Sequence, residues 1–239
     1  MCSERFIWMT VIGVEASYIV ITRLLLSLEI YGFEAEFIRT GLRFVCIAIY
    51  WLLLGSYLSS RTVNLKACVN LTPFFAFALF LSAPLLVGDL SYMGTDERVL
   101  YAATSIVVAV KEEIAYRGVI QRLLATRFGE LNAIIVATIL FTAYHIGGIP
   151  NDWFAYGQVI IASLFLGIVF ARTQSLLLVV LLHTLYDSLW SLTPVLSEPF
   201  PMFVGIIALL FGTATAVFWG WPAIRLNSNA SWVKKNAGD

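Results

Sequence analysis

The sequence predicts an all-α fold: a polytopic bundle of about eight transmembrane helices, forming a single integral membrane domain over residues 1–239. Three observations predict it. First, 60% of the residues are hydrophobic and 13% are charged, against roughly 45–50% and 25% in soluble domains. Mean hydropathy is +0.87, and a soluble reading would demand more core than the polar residues could cover. Second, the apolar residues come in runs of about 20, the length that crosses a hydrocarbon core. Third, basic residues alternate between the connecting segments, as the positive-inside rule requires.

The candidate spans, in order, are 6–28, 37–58, 72–93, 99–121, 131–149, 157–172, 175–193 and 202–221. The first, "FIWMTVIGVEASYIVITRLLLSL", is too long for the apolar stretch of a signal peptide and reads as a retained anchor. The second contains Cys46 as a small core residue. The third is interrupted by Pro73, Pro84 and Gly88. The fourth is apolar except for a dense set of charges. The fifth and seventh each hold a histidine. The sixth is short, and the eighth leads into a polar, frayed tail, "RLNSNASWVKKNAGD".

With a cytoplasmic N-terminus, inside segments carry Arg5, Arg61, Lys66, Arg122, Arg127, Arg172, Arg225, Lys234 and Lys235. Outside loops carry Arg98, with Arg39 and Arg43 at the start of the second span. They also hold Glu29, Glu34, Glu36, Asp89, Asp96, Glu97, Asp152 and Glu198. This bias favours both termini inside. A multi-pass location follows, in the inner or plasma membrane if the source is prokaryotic. Fifteen basic residues balance fifteen acidic ones, which gives no support to a nucleic-acid partner. Cys2, Cys46 and Cys68 show no metal-ligand spacing.

The fourth span includes "VAVKEEIAYRGVIQRLL", with Lys111, Glu112, Glu113 and Arg117 inside apolar sequence. A charge at mid-bilayer costs about 2.5–3.5 kcal/mol and therefore faces a partner or a cavity. On an α-helix Glu113 and Arg117 lie about 40° apart and can pair, whereas Glu112 and Arg117 diverge by about 140°. Arg117 can thus neutralise Glu113 and leave Glu112 aimed elsewhere. A purely structural ion cluster is the competing reading. The chain's two histidines, His145 and His183, both fall in apolar runs, "ATILFTAYHIGG" and "LLLVVLLHTLYDSLW". His183 and Asp187 are four apart, on one helical face. Counting from the span ends places Glu112, His145 and His183 near mid-depth. Such a set can activate water and stabilise an oxyanion. Two histidines and carboxylates also suit zinc, with Glu112, His145, His183 and Asp187 as the ligand set.

Three motifs resemble those of the CPBP intramembrane proteases, the CAAX-protease and bacteriocin-processing (Abi) family. "EEIAYRG" is similar to E-E-x-x-x-R at Glu112, Glu113 and Arg117. "FTAYH" is similar to F-x-x-x-H at Phe141 and His145, and "HTLYD" to H-x-x-x-(N/D) at His183 and Asp187. The resemblance covers about 99–190. It implies an intramembrane endopeptidase with a catalytic cleft within the membrane, acting on a membrane-anchored protein or peptide in the lipid bilayer. Glu112 would be the general base on water, helped by His145. His183 and Asp187 would stabilise the oxyanion, and Glu113 with Arg117 would be the supporting pair. The family is often labelled metalloprotease, yet this chemistry requires no cofactor; zinc is the alternative.

Two departures bear on substrate. The third motif commonly ends in Asn, and here Asp187 must be protonated, orient His183 or bind a cation. Gln174 stands where a glycine is usual. The substrate classes implied are a prenylated CAAX tail, or a sorting tail or leader peptide. A non-catalytic immunity or scaffold protein with the same fold is the alternative. A transporter with a proton relay would call for inverted repeats, which the sequence does not display.

Overall fold

The structure, a computed structural model, describes residues 3–30, 32–59, 71–87, 94–146, 153–196 and 202–236. Among these residues all regular structure is helical. The order is α1 (Glu4–Ser27), α2 (Gly32–Leu58), α3 (Leu71–Val87), α4 (Thr95–Glu113), a π-helical segment (Ile114–Gln121), α5 (Arg122–Phe128), α6 (Glu130–His145), α7 (Trp153–Thr173), α8 (Leu176–Leu196) and α9 (Met202–Asn236). Helix is what an apolar medium dictates. With no water to satisfy backbone N–H and C=O groups, each segment must bond them internally.

Local chemistry sets the helix ends. The Ser3 hydroxyl accepts the Phe6 N–H at 3.3 Å and caps α1. At the start of α4 the Glu97 carboxylate accepts the Gly94 N–H at 3.2 Å. Gly129, at φ 79°, breaks the chain between α5 and α6, a conformation open to a residue without Cβ. Pro73 lies in the first turn of α3, where its missing N–H has no helical acceptor to lose. Pro84 is accommodated inside α3. Gly88 lies outside the described residues.

Each sequence-read span falls on a helix, with differences at the ends. Helix α2 starts at Gly32 and α7 at Trp153, both earlier than hydropathy suggests. Helix α9 continues through the polar tail to Asn236, which had read as frayed. Four helical stretches are long and apolar enough to cross a membrane: Glu4–Ser27, Gly32–Leu58, Ala155–Thr173 and Val204–Pro222. Thr72–Leu85, Glu130–His145 and Leu176–Leu192 are shorter apolar helices. Side chains such as Trp51, Leu52 and Phe218 point outward on these helices, with Leu52 80% exposed. Such faces suit hydrocarbon as solvent, and the chain is an integral membrane protein. Of the loop charges, Arg61, Lys66, Asp89, Asp152 and Glu198 lie outside the described residues.

Two apolar clusters build the interior. One joins α3, α7, α8 and α9 through Phe80, Phe165, Val169, Val179, Leu209 and Trp219. Phe80 stacks on Phe165 with centroids 4.0 Å apart. Helices α3 and α9 approach closely at Ala76 and Gly212, where an added Cβ would stand 3.2 Å from the Ala76 carbonyl oxygen and 3.1 Å from the Phe80 nitrogen. Small residues permit such approach between membrane helices. The other cluster joins α1, α2, the π segment and α6 through Val11, Tyr50, Leu54, Val119, Ile120 and Phe141. Helix α4 packs against both α2 and α8, so the 95–128 stretch forms the seam between the clusters.

Candidate active site

Helix α4 ends on Glu112 and Glu113, and the π segment follows at once. A π turn widens the helix and often marks a functional site. Glu113 is fully buried and occupies the centre of a network. Its Oε2 lies 3.3 Å from Arg117 Nε. Its Oε1 accepts a hydrogen bond from His183 Nδ1 at 2.8 Å. Arg117 Nη2 donates to the Ser163 carbonyl oxygen at 3.0 Å and to Ser163 Oγ at 3.1 Å. Ser163 Oγ in turn donates to Thr138 Oγ1 at 3.2 Å. The guanidinium also lies over the Phe141 ring at 4.9 Å. Helices α4, α6, α7 and α8 are thereby tied to one buried ion pair.

Because Glu113 takes Nδ1 of His183, the ring presents Nε2. That atom stands 3.9 Å from Glu112 Oε2 and 3.5 Å from Asp187 Oδ2. The expected pairing of His183 with Asp187 on one face of α8 is therefore the geometry found. His145 is half-buried and is the last residue of α6, so it ends its helix instead of lying inside a span. Its Nδ1 donates to the Phe141 carbonyl oxygen at 2.8 Å, which leaves Nε2 available. The His145 and His183 rings share one wall: their centroids are 4.5 Å and 6.2 Å from that of Phe141.

Arg117 pairs with Glu113 and leaves Glu112 on another side, as α-helical spacing suggested. Glu113 does more than that spacing implied, because it also grips His183. Sequence reasoning missed a second layer of buried charge. Lys111 donates to Glu15 of α1 at 2.5 Å, and the Tyr50 hydroxyl donates to the same carboxylate at 2.6 Å. Glu36 and Arg43 read as charges of an external loop or its edge, yet both are buried and paired with each other. Thr104 donates to Glu36 at 3.2 Å, so that pair clamps α2 to α4. Glu15 inside "VIGVEASYIV" was the available signal: a lone carboxylate in an apolar run needs a partner.

These elements carry the three motifs in their order along the chain. Residues 95–189 match the family model of the Rce1-like type II CAAX prenyl endopeptidases. The match agrees with the resemblance read from the motifs and covers the helices that bring Glu112, His145, His183 and Asp187 together. Comparison with curated proteins and with solved structures found no match. The Rce1-like stretch contains the network around Glu113, whereas Glu15, Glu36, Arg43 and Tyr50 precede it.

The metalloprotease label often given to such proteins raises the question of zinc. Both histidines bind a protein acceptor through Nδ1, as metal-ligating histidines do. Among the described residues no group of three or more His, Cys, Asp or Glu is placed to hold a metal ion. Glu112 and Asp187, 3.9 Å and 3.5 Å from His183 Nε2, are the residues that would hold one with His145.

Proposed function

We propose that the chain is an intramembrane endopeptidase that hydrolyses a peptide bond in a membrane-associated protein or peptide. The observation that carries this reading is the pair Glu112 and His183, both buried and facing each other at 3.9 Å, with the Asp187 carboxyl beside the imidazole. That gap is too long for a direct hydrogen bond and is bordered by a base, an imidazole nitrogen and the Asp187 carboxyl.

In this reading Glu112, with His145, removes a proton from a water molecule. The resulting hydroxide attacks the scissile carbonyl carbon, and the carbonyl oxygen becomes an oxyanion. His183, doubly protonated and oriented by Glu113, donates to that oxyanion from Nε2. Asp187, carrying a proton, donates beside it. Collapse of the intermediate breaks the C–N bond, and Glu112 returns its proton to the leaving amine. Donors already oriented toward developing charge supply much of such a rate enhancement. Glu113 and Arg117 hold His183 and do not contact the reacting atoms.

Eight spans with both termini cytoplasmic follow from one helical crossing per predicted span and from the basic-residue bias. The substrate is a CAAX-type C-terminal tail, or a sorting tail or leader peptide. The Rce1-like match and the three motifs support protease chemistry in either case. The test compares membranes of cells expressing the parent chain or Glu112→Gln and asks which protein accumulates uncleaved. A species that appears with the variant and disappears with the parent is expected. Identical membrane proteomes at equal expression would reject the reading.

A further inference from the structure

Of the four charges in "KEEIAYR", Lys111 takes no part in the scheme above. It is fully buried. Its Nζ donates to Glu15 Oε2 at 2.5 Å, and Glu15 Oε1 accepts from the Tyr50 hydroxyl at 2.6 Å. The same ammonium lies 4.3 Å from the ring centroid of Tyr18 and 4.3 Å from that of Tyr144. Both separations are within the range of cation–π attraction, which strengthens when the pair is desolvated. Residues of α1 and α6 thus converge on the Lys111 ammonium, and Tyr50 of α2 holds its carboxylate partner.

Neutralising Lys111 requires only Glu15. The contact with Tyr144 needs another account, and its neighbour supplies one. The Tyr144 ring meets the His145 ring edge-to-face, with centroids 5.1 Å apart and planes at 85°. His145 is the last residue of α6 and is anchored through Nδ1 to Phe141. Among the described residues, two aromatic side chains border its ring and restrict its rotamer. Phe141 borders one part of the ring at 4.5 Å, and Tyr144 borders another.

We propose that Lys111 is a positioning residue for His145. Its ammonium, oriented by Glu15 and Tyr50, fixes the Tyr144 ring, and that ring fixes the imidazole. The site's geometry then depends on α1 and α2, which lie outside the Rce1-like stretch. The role of His145 in hydrolysis comes from the proposed function, so the test includes a readout that does not require cleavage.

The chain has two histidines. In the full-length protein in lipid nanodiscs, isotope-labelled histidine gives two sets of ring resonances, and His145→Asn assigns them. Lys111→Met alone would strand the Glu15 carboxylate, so the paired variant Glu15→Gln/Lys111→Met removes both charges together. Tyr144→Leu removes the ring and keeps the ion pair, and Tyr144→Phe keeps the ring. The paired variant and Tyr144→Leu are expected to move the His145 resonances, to leave those of His183 in place and to lower kcat on the order of tenfold with KM unchanged. Tyr144→Phe is expected to resemble the parent. Unmoved His145 resonances in folded Tyr144→Leu and folded paired variant would overturn the proposal. So would a Tyr144→Phe spectrum as perturbed as that of Tyr144→Leu. If no substrate is cleaved by the parent, the endopeptidase reading fails, and the resonances still decide the role of Lys111.

Discussion

Replacing Glu112 with Gln removes a proton acceptor and keeps nearly the same shape. We expect Glu112→Gln to abolish cleavage at unchanged levels of folded protein, measured by substrate turnover and by size-exclusion recovery. Glu113→Gln and Arg117→Ala have a different expected outcome. Each breaks a buried pair and leaves one charge uncompensated, at about 3–5 kcal/mol, so recovery of folded protein should fall. Glu113→Gln also weakens the contact from His183 Nδ1. A fully folded, inactive Glu113→Gln beside an active Glu112→Gln would reverse the roles. Asp187 offers a separate test. If it donates as a protonated acid, Asp187→Asn retains substantial activity, because an amide donates without a titratable proton. The alkaline limb of its pH–rate profile then moves upward. If Asp187 instead ligates a required metal, Asp187→Asn loses activity, excess zinc restores it, and a chelator inhibits the parent. The pairs Glu113–Arg117 and His183–Asp187 were legible because spacing along one helix decides which side chains share a face. Glu15 and Glu36 were not. Their partners Lys111 and Thr104 are 96 and 68 residues away in the chain, and local spacing says nothing about pairs that distant.

Helix existence was read correctly from apolar runs, whereas helix ends were not, because caps and backbone conformation set them. The junction between α7 and α8 illustrates this. Gln174 has φ 54°, a region that costs a residue with a side chain roughly 1–2 kcal/mol. A glycine usual at that position has its physical reason here. Gln174 partly compensates, because its Nε2 donates to the Ala171 carbonyl oxygen at 3.1 Å at the end of α7. Gln174→Ala keeps the strained backbone and loses that bond, whereas Gln174→Gly loses the bond and relieves the strain. Gln174→Gly should therefore be the more stable of the two by about 1 kcal/mol in thermal unfolding of the solubilised protein. Equal stability, or a more stable Gln174→Ala, would contradict the strain argument. The α3–α9 contact gives another prediction. A side chain at Gly212 meets backbone atoms of Ala76 and Phe80, which cannot rotate away. Gly212→Val should cost about 1–3 kcal/mol by forcing the helices apart, seen as a lower midpoint with a cleavage site still intact at low temperature.

Across the whole molecule, membrane class and the all-helical fold were legible in hydropathy, and the motifs pointed to residues that the structure places near one another. The seam geometry was not, because it depends on which helices pack together. Helix α4 contacts both α2 and α8, so the N-terminal helices support the candidate site, whose motifs all lie after residue 98. Epitope tags on the two ends should both be protected from external protease in right-side-out vesicles. Opposite protection of the two tags would show an odd number of crossings. One further consequence lies in the π segment from Ile114 to Gln121. A wide turn shifts the phase of a helix much as an inserted residue would. Upstream, Glu112 and Glu113 face the site in one phase; downstream, Gln121 Nε2 reaches the Gly167 carbonyl oxygen in another, at 2.9 Å. Deleting a single residue here, such as Ala115, would turn everything after it by about 100° and draw it back about 1.5 Å. Substitutions in this stretch test one side chain at a time, whereas its length is shared by every contact on both sides. Natural variation in this stretch should therefore change its letters and keep their number.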